Sequence, residues 1–375
     1  MGAEMTNSAL KYNVAITTNT LCAGGAEKQR VLLANELTQL GHSVTLYCLQ
    51  GFGPLAGQIN DLVRLRKRPF WLGHPRGHDF VITGTTNTET AFAILGRAKS
   101  ALRSARWMMA IHNPIGPTAP PLKSVTKLGL RLSDQRLALT TAHADALRTH
   151  WNVTVDSSVP NGLDLGWANH VRAKRKETSK FEYDIGYIGR ISTHHKGLDL
   201  LFAALSRPPA ADLTLAIAGS GPDEAELREA AIRLGIASRI VWLGHQEPES
   251  FLCRVNTLAL FSRYEGQPLV LLEAQAGGVP VVASRTACAE PSTRVLVTDA
   301  EDADGAALAL SSHSRLVGAY LEDTEEMPDS VAAMTRNYLE VMSRLQDRRR
   351  KPWKGFSFLS GARTELQNRL NSKAR

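Results

Sequence analysis

Short apolar runs bounded by glycine, asparagine or charged residues recur along the chain. They alternate with longer stretches whose apolar residues return every three or four positions. Tyr12-Asn-Val-Ala-Ile16 is the first run, and it leads through Thr17 to Cys22 into Gly24-Gly25. Beyond the glycines, Val31, Leu32, Ala34, Leu37 and Leu40 share one face at a period near 3.6, which predicts an amphipathic helix. Gly41 stops that helix, and Ser43 to Leu49 returns to strand character. Phe80-Val-Ile-Thr and Trp107-Met-Met-Ala-Ile111 lack polar alternation, as expected of strands covered on both faces of a parallel sheet.

The pattern breaks once and restarts. Asn161-Gly162 marks a turn after Val153 to Val159, and Arg172-Ala-Lys-Arg-Lys-Glu-Thr-Ser-Lys180 is polar, charged and without period. After it come a strand at Tyr183 to Ile188, a helix at Gly197 to Leu205, a strand at Leu213 to Ala218 and a helix at Asp223 to Leu234. Ile240-Val-Trp-Leu243, Thr257-Leu-Ala-Leu-Phe261 and Val279-Pro-Val-Val282 supply later strands. The chain of 375 residues is too long for one ordinary α/β core and suits two. The expectation is therefore α/β, with doubly wound parallel-sheet domains over residues 1–165 and 183–355 and a linker at 166–182. Residues 331–375 read as helical, with Arg348-Arg-Arg-Lys351 and Pro352 separating two helices and the last one over about 356–375.

Charge changes the picture in one half only. Of the formal net charge of +8, most lies in residues 1–165, which hold 17 Lys/Arg against 10 Asp/Glu. Arg64-Leu-Arg-Lys-Arg-Pro-Phe-Trp71 mixes cations with aromatics, and Arg97 to Trp107 and Lys123 to Arg131 add more. An anionic membrane surface suits such a patch, making peripheral contact through the first domain an expectation, whereas no nucleic-acid-binding motif is present. No apolar run reaches the ~20 residues of a membrane span, and MGAEMTNSALKYN lacks the apolar core of a signal peptide, so a cytoplasmic protein is expected, with any membrane contact at the inner face. Cys22, Cys48, Cys253 and Cys288 show no metal-ligand spacing and read as free thiols. Asp302-Ala-Asp304 lies in a polar segment without a strand before it, and no metal is expected there.

The most informative segment is Phe261-Ser-Arg-Tyr-Glu265-Gly266-Gln267-Pro268-Leu269-Val-Leu-Leu-Glu273, a strand, a glycine turn and a helix with proline at its first position. A helix start of this kind offers unpaired N–H groups to a diphosphate around Gln267 to Leu269. Glu273, about one and a half turns in, can accept hydrogen bonds from a ribose diol, and Glu265 in the loop can face a sugar. Upstream, Gly189-Arg190-Ile-Ser-Thr-His-His-Lys196-Gly197 also follows a strand, which places two cations at the carboxyl edge of the same sheet, where ligands of open α/β sheets bind. Arg190 can grip phosphate oxygens and Lys196 can neutralise charge on a leaving diphosphate.

These paired motifs resemble those of the retaining glycosyltransferase family 4, a GT-B family defined by Glu-x7-Glu, a spacing that Glu265 and Glu273 satisfy. The resemblance extends over Gly24-Gly25-Ala-Glu27, Leu40-Gly41-His42, His112, Asn161-Gly162-Leu-Asp164, Ala218-Gly219-Ser-Gly221-Pro222, Leu243-Gly244 and Ala276-Gly277-Gly278-Val-Pro280. It implies two Rossmann-like domains facing a deep interdomain cleft, a UDP- or GDP-linked sugar as donor, no required cofactor or metal, and retention of anomeric configuration. By similarity Arg190 and Lys196 bind the donor diphosphate, Gly266 to Leu269 form its helix-start cradle, Glu273 binds the ribose, and Glu265 meets the transferred sugar. His112 touches that sugar from the other domain, and Gly24-Gly25 lie near phosphate and acceptor. Arg285-Thr-Ala-Cys-Ala-Glu-Pro-Ser-Thr293 replaces the glycine-rich stretch usual in the family. A glycan or lipid-linked acceptor, as in lipopolysaccharide or cell-surface polysaccharide synthesis, is the expected partner. Two alternatives stand beside this: a catalytically inactive sugar-nucleotide-binding protein of the same fold, and a nicotinamide-dependent oxidoreductase, which would need GxGxxG where Ala23-Gly24-Gly25-Ala26 stands.

Overall fold

The structure is a computed structural model that describes residues 10–22, 24–74, 76–99, 105–116, 119–287, 295–299, 301–314 and 329–347. The expected final helix over about 356–375, the Arg348 to Lys351 run, Cys288 and most of the Arg285 to Thr293 segment lie outside the described residues.

The first half runs β1 (Asn13–Thr20), α1 (Gly25–Gln39), β2 (Ser43–Gly51), β3 (Arg64–Lys67), β4 (Phe80–Thr83), α2 (Asn87–Lys99), β5 (Arg106–Ala110), α3 (Ser124–Leu132), β6 (Gln135–Ala138), α4 (Thr141–Trp151) and β7 (Ser157–Ser158). The second half runs α5 (Leu165–Glu177), β8 (Tyr183–Ile188), α6 (Thr193–Lys196), α7 (Leu198–Leu205), β9 (Leu215–Ala218), α8 (Glu224–Arg233), β10 (Ile240–Gly244), α9 (Pro248–Leu252), β11 (Val255–Leu260), α10 (Leu269–Ala276), β12 (Val281–Ser284), β13 (Val295–Thr298), α11 (Ala303–Ser314) and α12 (Val331–Asp347).

Two parallel sheets result, one of seven strands in the order β3-β2-β1-β4-β5-β6-β7 and one of six in the order β10-β9-β8-β11-β12-β13. Both begin at an inner strand, build outwards, then reverse, which is the doubly wound plan of a Rossmann fold. The chain packs into two compact units. Among the described residues, one takes those up to Ala110 with Leu122–Arg136 and Arg336 onwards, and the other takes Ile111–Pro121 and Leu137–Thr335.

In the second unit the strand period of two is visible in the packing. Leu215 and Ile217 join Ile185, Phe202, Phe261 and Leu310 in one core, while Ala216 and Ala218 join Phe251, Leu258, Leu260 and Leu271 on the opposite side of the sheet. In the first unit Ala15, Tyr47, Val81 and Phe92 pack together.

Two local expectations are corrected. Arg172 to Lys180, expected to be an aperiodic linker, is helical through Glu177 in α5, because Ala168, Val171 and Arg175 bury one side of it. Asp164 caps that helix by accepting a hydrogen bond from the Gly166 N–H at 2.9 Å. Pro268 is the N-cap of α10 and not its first residue. The basic Arg64 to Lys67 stretch, which carries no strand pattern of its own, forms β3 by pairing with Thr45 to Cys48 of β2 at the sheet edge. Asp302, from the apparent acidic pair, accepts the Gly305 N–H at 3.0 Å at the start of α11.

Two glycines allow the loops after β8, β9 and β11 to converge. Gly197 sits at φ +62°, and a β-carbon there would lie 2.1 Å from the Phe261 carbonyl oxygen. Gly219 sits at φ +130°, and a β-carbon would lie 1.9 Å from the Gly189 carbonyl oxygen. Backbone atoms cannot swing aside as side chains do, so Gly219→Ala combines conformational strain with a clash. The expected outcome is a melting temperature lower by roughly 5 °C or more, read by circular dichroism.

Candidate active site

The order reversal in the six-stranded sheet falls between β8 and β11, which pair directly. Loops leaving the carboxyl ends of two such strands turn to opposite sides and leave a crevice between them. Here those two loops carry Gly189 to Gly197 and Phe261 to Pro268, so topology alone brings Arg190, Lys196, Glu265 and the start of α10 to one edge.

At that edge the Lys196 ammonium donates to Glu265 Oε1 at 2.5 Å. The Glu265 side chain is only 8% exposed and that of Lys196 20%. A carboxylate so covered is tolerable only when paired, and removing either partner strands the other charge. His195 stands beside them, its Nε2 3.9 Å from the same Glu265 oxygen. Its Nε2–H donates to the Tyr264 carbonyl at 3.1 Å, and its ring stacks on Tyr264 at 4.5 Å between centroids. Burial and the neighbouring Lys196 charge lower the His195 pKa, which favours this neutral form.

Arg263 ties the two loops further. Its guanidinium grips Asp199 at 2.8 and 2.7 Å and donates to the Thr193 carbonyl at 2.6 Å, while its N–H bonds to His195 O. The Tyr187 hydroxyl donates to the Arg190 carbonyl at 2.6 Å, which leaves the Arg190 side chain exposed to solvent. Hydrogen bonds from the Thr193 N–H and hydroxyl lower the Asp223 pKa, and the Arg190 charge adds a smaller push there and at His195.

The loop into α10 is held from its other side as well. Ile115 pairs with Glu265 in an antiparallel bridge, its N–H donating to the Glu265 carbonyl at 3.5 Å. The Asn161 N–H donates to Gln267 Oε1 at 2.8 Å, and its side-chain amide to Gln267 O at 3.2 Å. The hydroxyls of Ser284 and Thr286 both donate to Ser262 O at 2.7 Å. Beyond Pro268 and Leu269, Glu273 lies buried within α10.

Of the residues singled out from sequence, Arg190, Lys196, Glu265, Gly266, Gln267, Pro268, Leu269, Glu273 and His112 all belong to the second compact unit, His112 through its Ile111–Pro121 segment. Gly24 and Gly25 belong to the first. There they precede and open α1, and the Glu27 carboxylate lies back against Gly24, supplying negative charge at that helix start. A buried pair unmarked by sequence also lies in this unit. Glu89 meets Arg30 at 3.3 Å and accepts from Thr17, Thr86 and the Gly84 N–H, a set that satisfies the carboxylate internally.

Sequence reasoning missed His195, Arg263, Asn161 and His143 as parts of this site. The first two stand inside the Gly189 to Gly197 and Phe261 to Glu273 motifs, and Asn161 stands at a predicted turn and within the Asn161 to Asp164 segment of the family resemblance. His143 is buried, and its Nδ1 accepts the Leu139 N–H at 3.2 Å while Nε2 meets the Asn113 carbonyl at 3.1 Å. Thr140 capping the His143 N–H is the available signal, since the third residue of a capped helix often reaches back to free N–H groups.

With this geometry in hand, residues 182–313 match the family model described as Glycosyl transferases group 1. The Vi polysaccharide biosynthesis protein VipC/TviE of Salmonella typhi is 40% identical over 88 residues, covering 23% of this chain and 15% of that protein. The lipopolysaccharide core biosynthesis mannosyltransferase LpsB of Rhizobium meliloti is 31% identical over 157 residues, covering 40% of this chain and 43% of that one. The chain thus spans less than half the length of these curated relatives in the matched regions. Anabaena HepE, solved in complex with UDP and glucose, superposes with a TM-score of 0.67 at 16% identity, over 88% of this chain and 99% of that one. The fold is accordingly the two-Rossmann-domain GT-B type, residues 182–313 resemble a glycosyltransferase group 1 domain, and the named relatives support a transferase.

His143 gives the site a pH signature. Burial pushes its pKa down to about 4 from an ordinary 6.5. The unfolded chain therefore binds the proton more readily, and the stability of the neutral form, complete above pH 6.5, is lost as pH falls towards 4. The non-titrating His143→Gln variant is expected to flatten the dependence of melting temperature on pH between 6.5 and 4 relative to wild type, as read by thermal melts across that range.

Proposed function

We propose that this chain is a retaining glycosyltransferase that moves a sugar from a UDP- or GDP-linked donor to a glycan or lipid-linked acceptor, in lipopolysaccharide or cell-surface polysaccharide synthesis. The observation that carries this is the buried Lys196–Glu265 pair at the β8/β11 reversal, beside the start of α10. The ammonium has three donors, and Glu265 occupies one, so Lys196 keeps capacity for a phosphate oxygen while steadying the carboxylate. Arg190, exposed at the same edge, grips the diphosphate, and the N–H groups opening α10 complete the cradle. Glu273 takes the ribose diol. The UDP and glucose bound by HepE and the mannosyltransferase activity named for LpsB support a nucleotide sugar as the ligand.

In the reaction the bond between the anomeric carbon and the diphosphate oxygen breaks, and an acceptor hydroxyl bonds through its oxygen to the same face of that carbon while its proton passes to the departing diphosphate. Negative charge grows on the departing phosphate, so Arg190, Lys196 and the helix start stabilise the transition state more than the bound donor. Glu265 faces the positive charge that develops on the sugar, and His112 holds the sugar from its loop.

The acceptor side draws on the first unit. Arg64, Arg66 and Lys67 are exposed along β3, and Trp71 just beyond is 61% exposed, so an edge strand presents cations with an aromatic anchor to an anionic membrane surface. Among the described residues no helix is long and apolar enough to cross a membrane.

Two measurements test these assignments. UDP or GDP at 100 times its dissociation constant should stabilise the protein by about 2.7 kcal/mol in thermal shift. Glu265→Gln should retain that shift yet lose donor turnover by at least ~100-fold, with wild-type turnover persisting in EDTA. Near-normal turnover in the variant would remove Glu265 from the chemistry, and stabilisation without any wild-type turnover would mark a non-catalytic binder. For the membrane surface, each basic residue near anionic lipid is worth about 1 kcal/mol. Replacing Arg64, Arg66 and Lys67 by Ser should therefore cut co-sedimentation with phosphatidylglycerol vesicles by roughly two orders of magnitude. Unchanged partitioning would exclude this strand.

A further inference from the structure

The His112 to Ile115 loop ends against the Glu265 backbone through the Ile115 bridge, and a buried imidazole also holds it. His143 is the third residue of α4, whose cap Thr140 accepts the His143 N–H at 3.0 Å. Its Nδ1 accepts from Leu139 N–H, so the ring proton sits on Nε2 and donates to the Asn113 carbonyl. One ring thus links the end of β6, the start of α4 and the loop that carries His112.

The same ring borders Gly266. A β-carbon built on Gly266 would meet Leu139 Cδ1 at 3.2 Å and both the Asn113 carbonyl oxygen and His143 Cε1 at 3.5 Å. Ile115, two residues beyond the tethered Asn113, forms the bridge to Glu265. Movement of Asn113 would therefore reach both His112 and the backbone of Glu265.

We infer that His143 is a positioning residue for glycosyl transfer: its Nε2–H holds the Asn113 carbonyl, and through it the His112 to Ile115 loop, in register with Glu265 and Gly266. The inference rests on the function proposed above. It separates two jobs of the ring. Holding Leu139 N–H serves α4 and is local capping, whereas holding Asn113 O serves the site.

The two jobs can be separated by substitution, because a Gln amide reaches the place of Nε2 whereas an Asn amide reaches only that of Nδ1. His143→Gln is expected to keep kcat near wild type. His143→Asn, which retains the Leu139 contact, is expected to lose kcat by about 10- to 100-fold, with little change in donor KM or in the thermal shift given by UDP, a ligand without the sugar. Equal activity in the two variants, or losses in both that follow their melting temperatures, would overturn the inference. Hydrogen exchange supplies an arm independent of turnover. Peptides spanning 111–116 and 263–268 should exchange faster in His143→Asn than in His143→Gln, and identical exchange would overturn the tether. If wild type shows neither UDP stabilisation nor transfer, the donor assignment fails while the exchange arm still decides the tether.

Discussion

A carboxylate taken out of water must find a cation within hydrogen-bonding reach, and much of the second unit is arranged so that Glu265 finds Lys196. The two residues lie 69 positions apart and meet only because β8 and β11 are neighbours. That adjacency follows from the sheet order, in which the chain builds outwards from β8 and then returns beside it. The approach of the loops in turn requires glycine at 197 and 219, where any side chain would strike a carbonyl group. Arg263, bonded to Asp199 and to the backbone of Thr193, then keeps the α6 turn against the segment that presents Glu265.

Pairing in the unliganded protein gives the site its electrostatic logic. The Lys196 ammonium pairs with Glu265 and itself remains partly exposed. The neutral His195, held by Tyr264, adds a polar wall there without adding charge.

Much of this was legible in the sequence. The strand and helix periods gave β1, α1, β8, β9, β10 and β11 to within a few residues, since runs buried on both faces and amphipathic stripes leave direct marks. The motif around Arg190, Lys196, Glu265 and Glu273 also stood out, because its residues sit at strand ends. Other features left no such mark. Arg64 to Lys67 is a strand only through its neighbour β2, and helix α5 hides a buried Arg175 among solvent-facing cations. Arg175 donates to the Leu252, Val255 and Asn256 carbonyls, a role no local pattern discloses. His143 left only the Thr140 cap as a mark, because its partner Asn113 comes from a separate segment.

Many of the tethers around the crevice end on main-chain oxygens: Tyr187 on residue 190, Arg263 on 193, Ser284 and Thr286 on 262, His195 on 264 and Asn161 on 267. Every residue has a carbonyl, so these particular tethers do not depend on which side chain the receiving position carries. At 190, where the side chain is exposed, evolution can vary what meets a ligand while the Tyr187 tether stays in place, so a lineage can explore new ligands without first rebuilding the architecture.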